Sequence, residues 1–244
     1  MSIPLPRLTL VELRKLADTR AGLWMLVLIA LGVVGTAVIL LGWAPDEEQT
    51  FADFFAFGLA PSTVLLPVLG ILSMTGEWSQ RTALTTFALV PSRLRVVTAK
   101  LAAGVLIALA TTAVTLLFAA AANVLAAALG GDGGWHVDGS LIWQGALTEV
   151  LFLMVGMAFG ALLQNSPLAI VAFFALPTIW GILRETIKSL ERVSGWLDLG
   201  LTSGPLSEPS MTAGEYGRLA VSCLVWVALP LVLGSWRILR REIA

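Results

Sequence analysis

The chain has 244 residues, of which 57% are hydrophobic and 13% charged, with a mean hydropathy of +0.89 and a formal net charge of -1. That much apolar side chain cannot be hidden inside a water-soluble domain of this size, so the composition excludes a soluble enzyme and points to a bilayer. The near-neutral charge gives no basic surface for nucleic acid, and the single cysteine, Cys223, excludes an intramolecular disulfide or a thiolate metal cluster within one chain.

From the start of the chain, Leu10, Leu13, Leu16 and Ala17 recur at helical spacing opposite Glu12, Lys15, Asp18 and Thr19, and Thr9 with Glu12 has the spacing of a capping box. These features predict an interfacial helix over about 8–21 rather than a secretory signal. Uninterrupted apolar length then predicts six spans, near 23–43, 54–75, 96–129, 141–163, 168–183 and 219–236. The fifth is short and holds Pro177. Pro61, Pro67 and Pro230 predict bends in the second and sixth spans, because proline removes an amide donor and crowds the preceding turn. The expected fold is all-α, a polytopic membrane protein whose residues 1–244 form one transmembrane domain, since the spans leave no stretch long enough for a second core.

Arg7, Arg14, Lys15 and Arg20 precede the first span, Arg81, Arg93, Arg95 and Lys100 follow the second, and Arg237, Arg240 and Arg241 follow the sixth. These eleven cations face only four in the loop at about 184–218, so both termini and the loop after the second span are expected to be cytoplasmic in a cell membrane. The 184–218 loop is then outside. Its Ile187, Leu190 and Trp196 alternate with Glu185, Lys188, Glu191 and Arg192, predicting a short outer helix that rests at the interface or dips inward.

Candidates for chemistry are few. No G-x-x-x-x-G-K-[ST], G-x-G-x-x-G or H-E-x-x-H sequence occurs, and the one histidine, His136, lies in a glycine-rich turn read as flexible, with no elbow serine and no calcium-loop spacing. Catalytic, cofactor and metal sites are expected to be absent from this chain. Glu149 is the exception to an apolar fourth span: buried, it would line a cavity with Gln144; near the outer interface, it would reach water or Gln144. The Gly156 to Gly160 pair in the same span matches GxxxG and is read as an intramolecular packing face.

The loop at about 76–95 has more content. Glu77 and Arg81 stand one helical turn apart, Trp78, Leu84 and Phe87 share an apolar side with Thr82 beside them, and Pro91 ends the helix before Arg93 and Arg95. This predicts a short amphipathic helix across the cytoplasmic face. The segment 77–100, EWSQRTALTTFALVPSRLRVVTAK, resembles the coupling-helix loop of ABC type 2 exporter permeases, with an acidic residue, helix, proline, basic residues and lysine between the second and third spans. The N-terminal helix, six spans, long fifth loop and basic ending are similar to that family too. Many of its members have glycine before the threonine, where this chain has Arg81 before Thr82.

The resemblance implies a permease subunit that dimerises, as a homodimer or related heterodimer, and docks a separate ABC ATPase subunit on Glu77, Trp78, Arg81, Thr82, Leu84 and Phe87. ATP and Mg would belong to that partner. Two rival expectations are a proton-driven secondary transporter using Glu149 and a non-transporting membrane scaffold.

Overall fold

The computed structural model describes residues 4–79, 92–208 and 210–240, apart from the Glu191 side chain. They form helices, with no strand among them. A first helix, α1 (Leu5–Asp18), is followed by α2 (Arg20–Trp43), α3 (Phe51–Ser79), α4 (Arg93–Leu129), α5 (Gly139–Leu163) and α6 (Ser166–Thr186). Short helices α7 (Lys188–Leu197) and α8 (Leu199–Ser203) then lead to α9 (Ala213–Cys223) and α10 (Leu229–Arg240), which a π-helical turn at Leu224–Ala228 fuses into one rod. Six of these units are long and apolar enough to cross a bilayer, and the chain is a multi-pass membrane protein.

The helices start and stop for local reasons. Thr19 breaks α1 from α2 with extended backbone, and its hydroxyl accepts the Gly22 amide as a cap. α4 ends on Gly130 at φ 99°, a left-handed conformation that glycine adopts without strain. Asn165 caps α6 through the Leu168 amide, and Thr212 with Glu215 makes a full capping box on α9. The Thr9 to Glu12 box expected in α1 does not form: the helix begins at Leu5, with Pro4 at the cap position, and the Thr9 hydroxyl donates inside the helix to the Leu5 carbonyl.

α3 and α5 form the centre, flanked by α2, α4 and α10. Leu66, Leu69, Met74, Leu153 and Met157 are the buried middle, while Leu31, Leu117, Val171, Ile182 and Val232 are more than half exposed. An apolar exterior around a better packed interior is what lipid requires. Close approach of α3 and α5 comes from glycine: an added Cβ at Gly156 would overlap the Pro67 carbonyl, and at Gly160 it would lie 2.9 Å from the Ile71 oxygen. The GxxxG pair is therefore an internal packing face, as expected, with Gly70 answering it from α3 against the Leu153 carbonyl.

α3 and α6 run helically through Pro61, Pro67 and Pro177. Before Pro230 the ladder widens into the π turn, which accommodates the missing amide donor. The glycine-rich turn, read as flexible, is tied down: Gly133 N donates to the Gln49 carbonyl, Phe51 N to the Gly134 carbonyl, and the Asn123 side chain to the Gly133 carbonyl. The 184–218 segment holds the short helices expected of it.

Candidate functional site

Three helices meet at the end of the bundle that carries both described termini, and four charged side chains join them. Lys100 of α4 directs its ammonium to Glu12 Oε2 of α1 at 2.7 Å, Glu77 Oε1 of α3 at 3.1 Å, and the Ser73 carbonyl at 3.0 Å. An ammonium has three protons, and here each has an acceptor. Lys15 approaches Glu12 Oε1 at 2.7 Å and Glu77 Oε1 at 3.4 Å, so each oxygen of Glu12 holds one cation. The charges balance, two against two. Lys100, Glu12 and Glu77 are buried, with side chains 5%, 7% and 9% exposed, whereas Lys15 is 42% exposed.

Burial alone would raise the Glu12 carboxyl, but the Lys100 ammonium and then Lys15 outweigh it and hold Glu12 below its ordinary value of 4.5. Burial likewise works against a charged Lys15, and Glu12 and Glu77 overcome it, so that Lys15 lies above its ordinary 10.5.

This geometry changes two expectations. Glu12 faces the protein, since the buried stripe of α1 is Leu8, Thr9, Glu12 and Leu16, while Leu10, assigned to the apolar face, is half exposed. Glu77 is not the start of a separate helix: α3 continues to Ser79, and the Glu77 carboxylate holds Lys100 and Lys15. Trp78 packs partly buried against the central core. Arg81, Thr82, Leu84 and Phe87, with most of the short helix expected in the 76–95 loop, lie outside the described residues.

The second candidate lies in the opposite half. Glu149 of α5 is fully buried, and its Oε1 is 2.7 Å from the Ser62 hydroxyl and 3.3 Å from the Thr63 hydroxyl of α3. Both hydroxyls also lie 2.9 Å from the Leu59 carbonyl, so each has one proton and two acceptors in reach. Among the described residues Glu149 Oε2 has no hydrogen-bond partner. Among the described residues no ion pair involves Glu149. The interfacial alternative, with Glu149 reaching water or Gln144, does not hold.

Beside this carboxylate, α3, α5 and the 203–207 turn enclose an open-sided cleft of about 410 Å³. Its wall is mainly apolar, with Phe55, Leu59 and Phe152, and carries the hydroxyls of Thr63, Thr148, Ser203 and Ser207. Neither Glu149 nor Gln144 lines it; Thr63 stands between Glu149 and the cleft. Gln144 is buried and turned toward the 208–216 segment, where its amide nitrogen, in the orientation that satisfies both amide atoms, donates to the Glu208 carbonyl at 2.9 Å and the Ser140 carbonyl at 3.3 Å. Its oxygen then faces the Tyr216 hydroxyl.

Sequence reasoning missed Glu12, Ser62 and Thr63 as members of these clusters. An acid with a leucine four positions away on either side, Leu8 and Leu16, was the available signal for Glu12; Ser62 and Thr63 gave none, because helical hydroxyls satisfy themselves on a backbone carbonyl. Among the described residues no group of three His, Cys, Asp or Glu side chains is placed to hold a metal ion. Compared with protein-family models and with curated proteins, the sequence matches none.

Proposed function

We propose that this chain is the permease subunit of an ABC exporter: two copies form the path, and the loop after α3 docks a separate ATP-hydrolysing subunit that carries ATP and Mg. The supporting observation is the Glu12, Lys15, Glu77 and Lys100 cluster. Glu77 and Lys100 bracket the loop, one at the end of α3 and one in the second turn of α4, and Glu12 ties Lys100 to α1. A push on such a loop moves three helices together instead of bending a hinge, which is what coupling to an external motor requires. In this reading Arg81, Thr82, Leu84 and Phe87 meet the partner, Trp78 anchors the start of the loop on the core, and Glu77 positions the loop from within. Both termini and the cluster face the cytoplasm, where the basic residues concentrate.

The proton-driven reading keeps one favourable observation, the buried Glu149 carboxylate among hydroxyls. One experiment separates the two. Tagged chain is purified from its native membranes, ATP hydrolysis is assayed in the eluate, and uptake into inside-out vesicles is measured with ATP or with an imposed proton gradient. Co-purifying ATPase activity that falls at least about tenfold in Arg81→Ala or Phe87→Ser, at unchanged expression, is expected. Full activity in both variants, or uptake that follows the proton gradient without ATP, would remove the coupling role. Orientation is checked in intact cells with an impermeant thiol reagent in a Cys223→Ser background: Ser140→Cys and Ser207→Cys should label, and Ser79→Cys should not.

A further inference from the structure

The two buried acid clusters are built differently. Glu12 is saturated, with one ammonium on each oxygen. Glu149 is not: one oxygen shares two hydroxyl protons with the Leu59 carbonyl, and among the described residues the other has no partner and no cation pairs with it. A buried carboxylate so poorly matched costs stability unless something else meets it. Thr63, which touches Glu149, is also part of the wall of the 410 Å³ cleft. That volume falls in the range of about 300–1,000 Å³ typical of small-molecule sites, and a mostly apolar wall with few polar groups is their usual composition.

We propose that the cleft between α3 and α5 binds a lipophilic ammonium compound, its apolar body against Phe55, Leu59 and Phe152 and its N–H donors on the Glu149 carboxylate. Charge complementarity selects this occupant over a lipid tail or a helix of a second copy, neither of which supplies a cation to Glu149. Thr63 is the shutter. Its hydroxyl already has the Leu59 carbonyl as a second acceptor at 2.9 Å, so releasing Glu149 leaves it satisfied while the ligand takes its place. Glu149 is thus a binding residue, and Ser62, which does not line the cleft, holds the carboxylate from behind. That the compound is transported cargo rests on the permease reading above; that it binds does not.

The test uses the full chain, purified in detergent without an ATPase partner, and the fluorescence of monodansylcadaverine, a primary amine on an alkyl chain, beside its N-acetyl derivative, which has the same body without charge. The amine should bind at least about tenfold more tightly than the derivative, and Glu149→Gln should remove that preference while leaving the derivative's affinity unchanged. Ala60→Trp, at an exposed position in the wall of the cleft, should weaken both probes and keeps Glu149 in place, so it reports on the cleft even if Glu149→Gln fails to fold. Equal affinities of wild type for the two probes would overturn the proposal and leave a cleft for lipid or a second copy. Unaltered amine binding in folded Glu149→Gln, or in Ala60→Trp, would overturn it as well. Because no ATPase is present, these outcomes are independent of whether the chain couples to one.

Discussion

Replacing Lys100 with methionine keeps the unbranched stem, one atom shorter, and removes one ammonium from a site only 5% exposed. Glu12 Oε2, Glu77 Oε1 and the Ser73 carbonyl each lose the Lys100 donor at once. Two buried carboxylates then share Lys15, which is already engaged and 42% exposed. Breaking a buried ion pair by removing one partner costs about 3–5 kcal/mol. At about 2–4 °C per kcal/mol for a chain of this length, the thermal midpoint in detergent should fall by roughly 6–20 °C. Lys15→Met is the control, because solvent screening limits an exposed partner to about 0–1 kcal/mol, or no more than about 4 °C. The triple variant Lys100→Met with Glu12→Gln and Glu77→Gln should recover much of the loss, since it leaves no unpaired charge. A Lys100→Met midpoint within about 4 °C of wild type, or equal to that of Lys15→Met, would refute the view that this cluster locks α1, α3 and α4 together.

The same cluster sets a pH window. Glu12 is depressed, so its contribution is present above its ordinary 4.5 and lost as pH falls through the lower folded value; Lys15 is raised, so its contribution is present below 10.5 and lost as pH rises through the higher folded value. Midpoints measured across the acid range should therefore fall more steeply for wild type than for Glu12→Gln, and identical acid limbs would contradict the assignment. Glycine gives a contrast of opposite sign. Gly156→Ala must drive a methyl into the Pro67 carbonyl and should cost about 1–3 kcal/mol or more, whereas Gly181→Ala, in α6 with nothing within 4 Å, should be neutral or stabilising by up to about 1 kcal/mol. Both are read from thermal midpoints of the purified variants.

Helix number and order were legible because a bilayer demands long apolar runs, and the observed units begin and end within a few residues of those runs. The larger departures have one cause. Hydropathy stops at charges, so the reading ended the second span at Thr75 and placed Glu77 in the loop; α3 continues to Ser79 because Glu77 is neutralised by Lys100, and Lys100 by Glu12, 88 residues earlier in sequence. No local pattern holds that information. The face of α1 was misjudged for the same reason, since periodicity sorts an acid with water unless its buried partner is known. Glu149 stood out as an acid in an apolar span, but whether it faced water or protein depended on the approach of α3, and Ser62 and Thr63 look like ordinary helical hydroxyls until α5 is set beside them. The GxxxG pair was readable as a packing face; its partner, Gly70, was not, because a lone glycine among Leu and Ile carries no spacing signal.

The π turn at Leu224–Ala228 has a consequence for the rotational phase of the last helix. Each residue of an α-helix advances the chain by about 100°, so the one surplus residue held by a π turn sets the azimuth of everything that follows it. In this phase Gly234 meets Ala161 and Leu162, and Arg237 donates to the Leu162 carbonyl at 2.9 Å. Deleting one residue among 224–228 would restore regular α-helix and keep that phase, whereas straightening the turn with all its residues kept would swing the face aside by about 100°. Val232 and Leu233, now outward, would crowd toward α5 in place of the glycine. The wide turn thus acts as a length adjuster that lets Pro230 and a close glycine contact coexist in one continuous rod.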